Sequence, residues 1–334
     1  MSASPKVSIL VPVYNRANYI EETLAAALEQ TFGDFEVVVI DNCSTDGSWE
    51  LIQRVAARDG RLRIFRNEDN IGPVRNWQRC VREARGELGK ILWSDDLLHP
   101  EYLAEAVPLM ASAEIGFVYS PAVIFFGEDP LDGLVLYNGT PPGCRPTVEF
   151  IKGSLLKGSL LKRDYPVSPG CALFRLKDMR DCFLDEVPNR VGSDFAMHAI
   201  GPDVLLFLLV AERYPFFYRL VQPLAYFRAH PGAITVASGK SKMALHYDIA
   251  KAWFVSRANL PPGLVAQFNS TLFIDLLVFR GRPFGLRRRA DFYPQPGQHP
   301  LSVAYLPVAA ANLLARIARQ VRPWLRRTFA RSRA

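Results

Sequence analysis

The run Ile91-Leu92-Trp93-Ser94-Asp95-Asp96 carries an apolar stretch directly into two adjacent carboxylates. In an open α/β sheet such a stretch ends at the carboxyl edge, where ligands bind. Asp95 and Asp96 there suit a hard divalent cation, Mg²⁺ or Mn²⁺, which takes oxygen ligands and draws the rest of its shell from phosphates and water. Asp is also a favoured helix N-cap, so the pair has a purely structural reading too. Two more carboxylates, Asp194 in Gly192-Ser193-Asp194 and Asp203 in Gly201-Pro202-Asp203, stand close together in the sequence. Asp203 opens a wholly apolar run over residues 204–210. A helix starting there would hold its carboxylate rigidly and keep it ionised through the helix dipole, as a proton acceptor requires.

These groups need elements to carry them. Residues 6–13 and 35–40 are β-branched apolar runs of the kind a parallel sheet buries on both faces. Between them Ile20, Leu24 and Leu28 recur at helical spacing, with Asn18 and Glu21 as an expected capping pair. The polar turn 41–48 follows the second run and can cap a helix beginning near Trp49. Residues 62–65 predict a third strand, 74–84 a helix, and 89–93 the strand that delivers Asp95. This alternation, with connections of a few residues, argues for a parallel doubly wound sheet with right-handed crossovers. Its carboxyl edge gathers three polar strand ends, Tyr14-Asn15-Arg16, Asp41-Asn42 and Asp95-Asp96. Neither a Gly-x-Gly-x-x-Gly loop nor a Gly-Lys-Ser/Thr phosphate loop occurs, which disfavours a dehydrogenase and a P-loop NTPase. Further on, residues 100–113 predict a helix and 115–126 one strand that leads into a Gly/Asp/Pro-rich connection. Residues 245–254 and 265–278 predict helices.

The 334 residues hold ample apolar content for a full core. Five widely spaced cysteines, without a C-x-x-C pair, indicate neither a disulfide framework nor a zinc site and fit a reducing compartment. No basic segment followed by an apolar stretch opens the chain, so no export leader is expected. Charge is uneven: residues 280–333 hold twelve Arg, no Lys and one acid, a local +11 where the whole chain carries +7. A mildly acidic body with a basic tail points to an anionic partner surface. Over residues 313–325, Leu313, Leu314, Ile317, Val321, Trp324 and Leu325 fall on one helical face, with Arg316, Arg319, Arg322 and Arg326 on the other. Pro323 would kink that helix. The apolar run 301–315 is too short to span a bilayer, which favours an interfacial anchor. No nucleic acid partner is expected, because the tail lacks any recognisable binding module for one.

Four segments in fixed order carry a resemblance: Val7-Ser8-Ile9-Leu10-Val11-Pro12-Val13-Tyr14-Asn15, Val39-Ile40-Asp41-Asn42-Cys43-Ser44-Thr45-Asp46-Gly47-Ser48, Asn70-Ile71-Gly72-Pro73-Val74-Arg75-Asn76 and Trp93-Ser94-Asp95-Asp96. Together they resemble the family 2 glycosyltransferases of bacterial cell-surface polysaccharide synthesis. The resemblance implies a GT-A fold and inverting sugar transfer with a divalent metal, Mg or Mn. It also implies donor contacts at Pro12, Tyr14, Arg16, Asp41, Arg75, Ser94 and Asp95, with Asp41 accepting from the base and Asp95, joined by Asp96, holding the metal. Trp93 stands where the family usually has the first Asp of an Asp-x-Asp-Asp motif. The segment 167–175 resembles one that closes over donor and acceptor. In similar enzymes an acidic residue precedes a Leu-x-x-x-Arg strand by the distance that separates Asp203 from Leu224 and Arg228. This implies Asp203, ahead of Asp194, as the catalytic base, with Arg228 and His230 near the pyrophosphate.

The expected protein is therefore α/β, with a mostly parallel GT-A type nucleotide-binding sheet over residues 1–235 and a helical, basic C-terminal extension over 236–334. Its expected activity is hexosyl-type transfer from a nucleotide-sugar donor to a hydroxyl of a glycan or lipid-linked acceptor. The expected location is cytoplasmic, peripheral on the inner face of the cell membrane through the tail. Two alternatives remain at this level, a non-catalytic membrane or scaffold protein with a degenerate body and a nucleotidyltransferase. The second would carry a Gly-rich, Arg-containing loop after the first strand, which Tyr14-Asn15-Arg16-Ala17-Asn18 is not.

Overall fold

The runs Val7–Val13 (β1) and Phe35–Asp41 (β2) are buried at every position, as strands covered on both faces must be. The computed structural model describes residues 4–127, 129–156, 164–295, 303–307, 310, 311 and 314. Between these strands lies the helix Ile20–Leu28 (α1). The capping pair expected of Asn18 and Glu21 does not form: the flanking residue is Tyr19, without a side-chain cap, and the amides of Tyr19 and Ile20 close instead on the Arg16 carbonyl. Next come the helix Ser48–Ala56 (α2), the strand Leu62–Arg66 (β3), the helix Pro73–Glu83 (α3) and the strand Leu88–Ile91 (β4). The strand Leu97–Leu98 (β5) and the helix Tyr102–Ala106 (α4) follow.

The single strand expected over residues 115–126 is two, Ile115–Tyr119 (β6) and Ala122–Phe125 (β7), which enter different sheets. Pro121 has no amide to give a ladder, and the Ser120 amide turns to the Cys171 carbonyl, so the chain bends there. Strands Gly133–Leu136 (β8) and Gly143–Pro146 (β9), helix Thr147–Leu155 (α5), strand Ala172–Arg175 (β10) and helices Leu176–Cys182 (α6) and Phe195–His198 (α7) lead to the helix Pro202–Arg213 (α8). Strands Phe216–Arg219 (β11) and Ala225–Arg228 (β12) precede helices Ile234–Ala237 (α9), Lys240–Arg257 (α10) and Pro262–Val278 (α11). Residues 313 and 315–325 of the expected amphipathic tail, and residues 301, 302, 308, 309 and 312 of the apolar run before it, lie outside the described residues. Among the described residues no single helix is long and apolar enough to cross a membrane.

The large sheet has the order β3-β2-β1-β4-β10-β6-β11-β9 and the small one β5-β12-β7-β8. β1 is parallel to β2 and β4, β2 to β3, and β6 to β11, whereas β10 is antiparallel to both β4 and β6. Two reversals restore direction, so β6 and β11 run with β1. The C-terminal ends of β1, β2, β4, β6 and β11 therefore share one edge with the start of β10.

One hydrophobic core fills each face of the sheet. α8 is buried from Pro202 to Ala211 because α5, α6 and α10 surround it over β6, which is why its sequence is apolar all round. Phe117 meets Phe150, Phe174, Phe207 and Phe217 at centroid distances of 5.1 to 5.7 Å. Each such pair is worth about 0.5–1.5 kcal/mol beyond its buried area. The cluster joins β6, α5, β10, α8 and β11, and so fixes the start of α8 against the strand ends.

Candidate active site

On the β1–β2 side, the turns after the strands are stitched to each other. Asn15 adopts φ 51° and its carboxamide oxygen accepts from the Thr45 amide at 2.9 Å, while its own amide donates to Ser44 Oγ. Asn42 Nδ2 donates to Asn70 Oδ1 at 2.8 Å, and Asn42 Oδ1 accepts from Asn67 Nδ2 at 2.7 Å and from the Ile71 amide. Asn76 Nδ2 closes the network on the Ile40 carbonyl. These amides hold the loop before α3 against the end of β2.

Asp41, at that end, is fully buried. Its Oδ2 accepts from the Ser44 amide at 3.1 Å and pairs with Arg66 Nε at 3.2 Å. Its Oδ1 is enclosed and has no partner. A buried acceptor left unpaired costs about 1–3 kcal/mol, so one more N–H or O–H donor at this oxygen would be stabilising. Pro12 is buried in β1 in register with Ile40, and Tyr14 stands exposed beyond it. Arg75, expected at the donor, pairs instead with Asp185 at 3.7 Å.

The two adjacent carboxylates have different work. Asp95 Oδ2 accepts from Arg16 Nε at 3.1 Å and lies 2.8 Å from His230 Nε2, with the His230 ring packed on Tyr19. Asp96 turns into the fold, where its Oδ1 accepts from the Arg228 amide at 2.9 Å. Burial, and then the neighbouring Asp95 charge, push its carboxyl well above the usual carboxylate range. A carboxyl so enclosed is committed to structure, which departs from the expectation that Asp96 shares a metal with Asp95. Arg228 is committed likewise: Nε donates to the Asp95 carbonyl at 3.1 Å, Nη2 pairs with Glu22, and the guanidinium lies over Phe125 and Tyr19. Ser94 is buried between these groups and Trp93.

Trp93 is part of the floor. Its Nε1 donates to Ser168 Oγ at 3.0 Å, its ring meets Trp77 at 4.6 Å, and a Cβ on Gly170 would come within 2.7 Å of that nitrogen. Residues 167–175, expected to close over the ligands, thus form a turn under Trp93 and then β10 in the middle of the sheet. Beneath lies Lys90, fully buried, whose Nζ donates to the carbonyls of Ile91 and Gly170 and faces the Tyr102 ring.

Past β10, Asp203 sits at the start of α8, 8 % exposed. Its Oδ1 accepts from the amides of Gly201 at 2.9 Å and Val204 at 2.8 Å, and its Oδ2 from Tyr247 Oη at 2.6 Å. Burial outweighs these bonds and pushes its pKa up to about 6, in the range of a base that works near neutrality. Asp194 is exposed and caps α7 by accepting from the Met197 amide at 3.2 Å. Tyr247 is a neighbour of the candidate base that the sequence pattern does not reveal. It lies 44 residues from Asp203 inside a helix, and only the packing of α10 on α8 brings it there.

Among the described residues no group of three or more His, Cys, Asp or Glu gathers as a metal site. Asp95 Oδ2 and His230 Nε2 nonetheless face each other, an anionic oxygen and a ring nitrogen at 2.8 Å. A divalent cation can be held by a single carboxylate such as Asp95 when phosphate oxygens and water complete its shell, with His230 the nearest further donor.

A sheet of this order defines the class, an open α/β fold, and such folds take ligands over the strand ends, at the point where strand order reverses. The profile of Glycosyl transferase family 2 matches residues 8–183, more than half of the chain, and the chain belongs to that family. TuaG of Bacillus subtilis, named for teichuronic acid biosynthesis, is 29 % identical over 116 residues, which are 35 % of this chain and 46 % of TuaG. Glycosyltransferase GlyG of Streptococcus pneumoniae is 32 % identical over 95 residues, 28 % of this chain and 32 % of its own. This chain therefore matches less than half the length of either relative. In fold it is similar to S. aureus TarS 1–349 in complex with UDP-GlcNAc, with a TM-score of 0.61 at 20 % identity over 84 % of this chain and 76 % of that one. Mannosyltransferase PcManGT from Pyrobaculum calidifontis, in complex with GDP-Man and Mn²⁺, gives a TM-score of 0.50 at 19 % identity over 100 % and 82 %.

Proposed function

We propose that this chain is an inverting glycosyltransferase that moves a sugar from a nucleotide-sugar donor to a hydroxyl of a glycan or lipid-linked acceptor. The observation that carries the reading is the Asp95 cluster, in which Arg16 and His230 converge on one carboxylate oxygen at the carboxyl edge. The unpaired Asp41 Oδ1 accepts an N–H of the donor's base. Asp95 and His230 would hold Mg²⁺ or Mn²⁺, which when bound neutralises charge on the departing nucleoside diphosphate. Arg16 adds positive charge on the same side. Asp203 takes the proton of the acceptor hydroxyl as that oxygen bonds to the anomeric carbon, and the bond from that carbon to the phosphate oxygen breaks with its electron pair leaving on the nucleotide. One displacement through an oxocarbenium-like transition state inverts the configuration. Calorimetric titration of UDP and GDP, with and without Mn²⁺, tests the site. Asp95→Ala should lose the metal-dependent part of the affinity, and titrations identical to wild type would remove Asp95 from it.

The acceptor side of the reading extends to an anionic membrane at the cytoplasmic face. Phe273, Leu277 and Val278 are exposed on α11 directly before the exposed Arg280 and Arg282, and Arg287 and Arg288 are exposed a turn further on. Apolar side chains beside basic ones favour an interface of anionic lipid, at about 1 kcal/mol per engaged Arg. Replacing these four arginines by Gln should abolish most co-sedimentation with phosphatidylglycerol vesicles. Equal pelleting of variant and wild type would exclude this surface.

A further inference from the structure

At the far end of the same edge stands a cation without a counter-charge among the described residues. Arg219 closes β11, in register with Tyr119 of β6, and is 6 % exposed. Among the described residues its one hydrogen bond runs from Nη2 to the Asn138 carbonyl at 3.4 Å, and its Nε finds no partner there. No carboxylate among the described residues pairs with it, although Arg145 on the adjoining β9 pairs with Glu149 at 2.7 Å. The Tyr119 hydroxyl, also enclosed, makes no hydrogen bond of ordinary geometry, with Thr140 and Arg219 as its polar neighbours. Burying a guanidinium and a phenol with so little compensation is costly unless something else supplies the missing acceptor.

Their place in the fold says where that acceptor comes from. β11 lies three strand positions from β4, about 14 Å at the usual spacing of neighbouring strands. β6, which ends in Tyr119, packs against α8, whose first turn holds Asp203, and β11 with Arg219 is the neighbour of β6. Arg219 and Tyr119 thus lie on the Asp203 side of the edge, away from Asp41 and Asp95. A hydroxyl that attacks opposite the leaving nucleotide approaches from that side.

We infer that Arg219 and Tyr119 form a subsite for an anionic substituent, carboxylate or phosphate, on the acceptor glycan. The inference rests on the sugar-transfer reading for what the ligand is, but its test does not use transfer. The full chain is titrated with cellobiuronic acid, with glycerol 3-phosphate and with neutral cellobiose. At least one of the two anions binds wild type about tenfold or more tighter than cellobiose, the scale of a hydrogen bond to a charged group. A response to the first alone identifies an acidic sugar, and to the second alone a phosphorylated one. Arg219→Gln abolishes the preference, and Tyr119→Phe, which removes only the hydroxyl, weakens it severalfold and supplies the test if Arg219→Gln does not fold. Equal binding of all three probes to wild type, or an anion preference that survives in both variants, overturns the subsite. Because Asp95-dependent nucleotide binding is measured separately, that result would leave the donor site standing, and the loss of nucleotide binding would leave these titrations interpretable.

Discussion

The two sides of the carboxyl edge treat charge in opposite ways. Around β1, β2 and β4, charged groups meet counter-charges: Arg66 with Asp41, Arg16 with Asp95, and Arg228 with Glu22. Around β10, β6 and β11, charged groups meet neutral ones. Asp203 is held by two amides and a phenol, and Arg219 by one long bond to a carbonyl. Pairing in a partly enclosed site favours ionisation and fixes position. Neutral partners in a buried site leave the charge sensitive to whatever arrives. A single edge can in this way bind an anionic leaving group on one side and keep a proton acceptor poised on the other.

The largest expected effect lies on the second side. Asp203→Asn should retain nucleotide affinity and lose transfer by about a hundredfold or more, the scale of general base catalysis. Because Asp203 must be ionised to act and its pKa is about 6, the rate should rise with pH through an inflection near 6. The Tyr247 hydrogen bond lowers that pKa, so Tyr247→Phe should move the inflection to higher pH. Rate profiles of wild type and Tyr247→Phe check both statements. If Asp194→Asn abolishes transfer instead while Asp203→Asn is mild, the poised group is the exposed carboxylate on α7 and the contrast between the two sides is lost.

The same contrast explains what could be read from the chain. Asp41, Arg16 and Asp95 follow their strands within a few residues, so the strand pattern alone brings them to one edge, and their order resembles a known family. What that reading could not distinguish is the different fate of neighbours. Asp95 faces Arg16 and His230 while Asp96 faces the interior, because the chain turns between them and the Arg228 amide, 132 residues on, takes up the second carboxylate. On the other side, the contacts around the proposed base and subsite join residues far apart: Tyr247 with Asp203, Trp93 with Ser168, Arg219 with Asn138. No local period encodes such pairs. The one strand expected over 115–126 failed for a related reason, since Pro121 breaks the ladder, and the first half finds β10 and β11 while the second finds β12 and β8, all distant in sequence or beyond a turn. The Asn42, Asn67, Asn70 and Asn76 network was half visible, as polar residues in the quoted motifs, but its geometry needs the loop and the helix together.

A smaller effect tests the seam between the two sides. Lys90 lies in β4 below Asp96 and donates to the Gly170 carbonyl at the start of the β10 turn. Burial lowers its pKa from 10.5 to about 7, against a smaller opposing influence of Cys171 and Asp96. Between those values the folded protein holds Lys90 neutral while the unfolded chain remains protonated. The unfolded state then binds more protons, so this group makes stability rise with pH from about 7 to 10.5, by at most about 1.4 kcal/mol per pH unit. Below 7 both states carry the charge and the contribution is flat, at its least favourable. Asp96 acts with the opposite sign above 3.8, because its raised pKa keeps a proton on the folded state that the unfolded state has released. Comparing urea unfolding of wild type with Lys90→Met isolates the lysine. The stability difference should shift in favour of wild type as pH rises from 7 to 10, while below pH 7 it should be constant. A difference that stays level through 7 to 10 would mean that Lys90 keeps its charge as a full ion pair with Asp96. The seam would then belong with the paired groups of β1, β2 and β4, and the change from compensated to uncompensated charge would begin beyond β10 rather than beneath it.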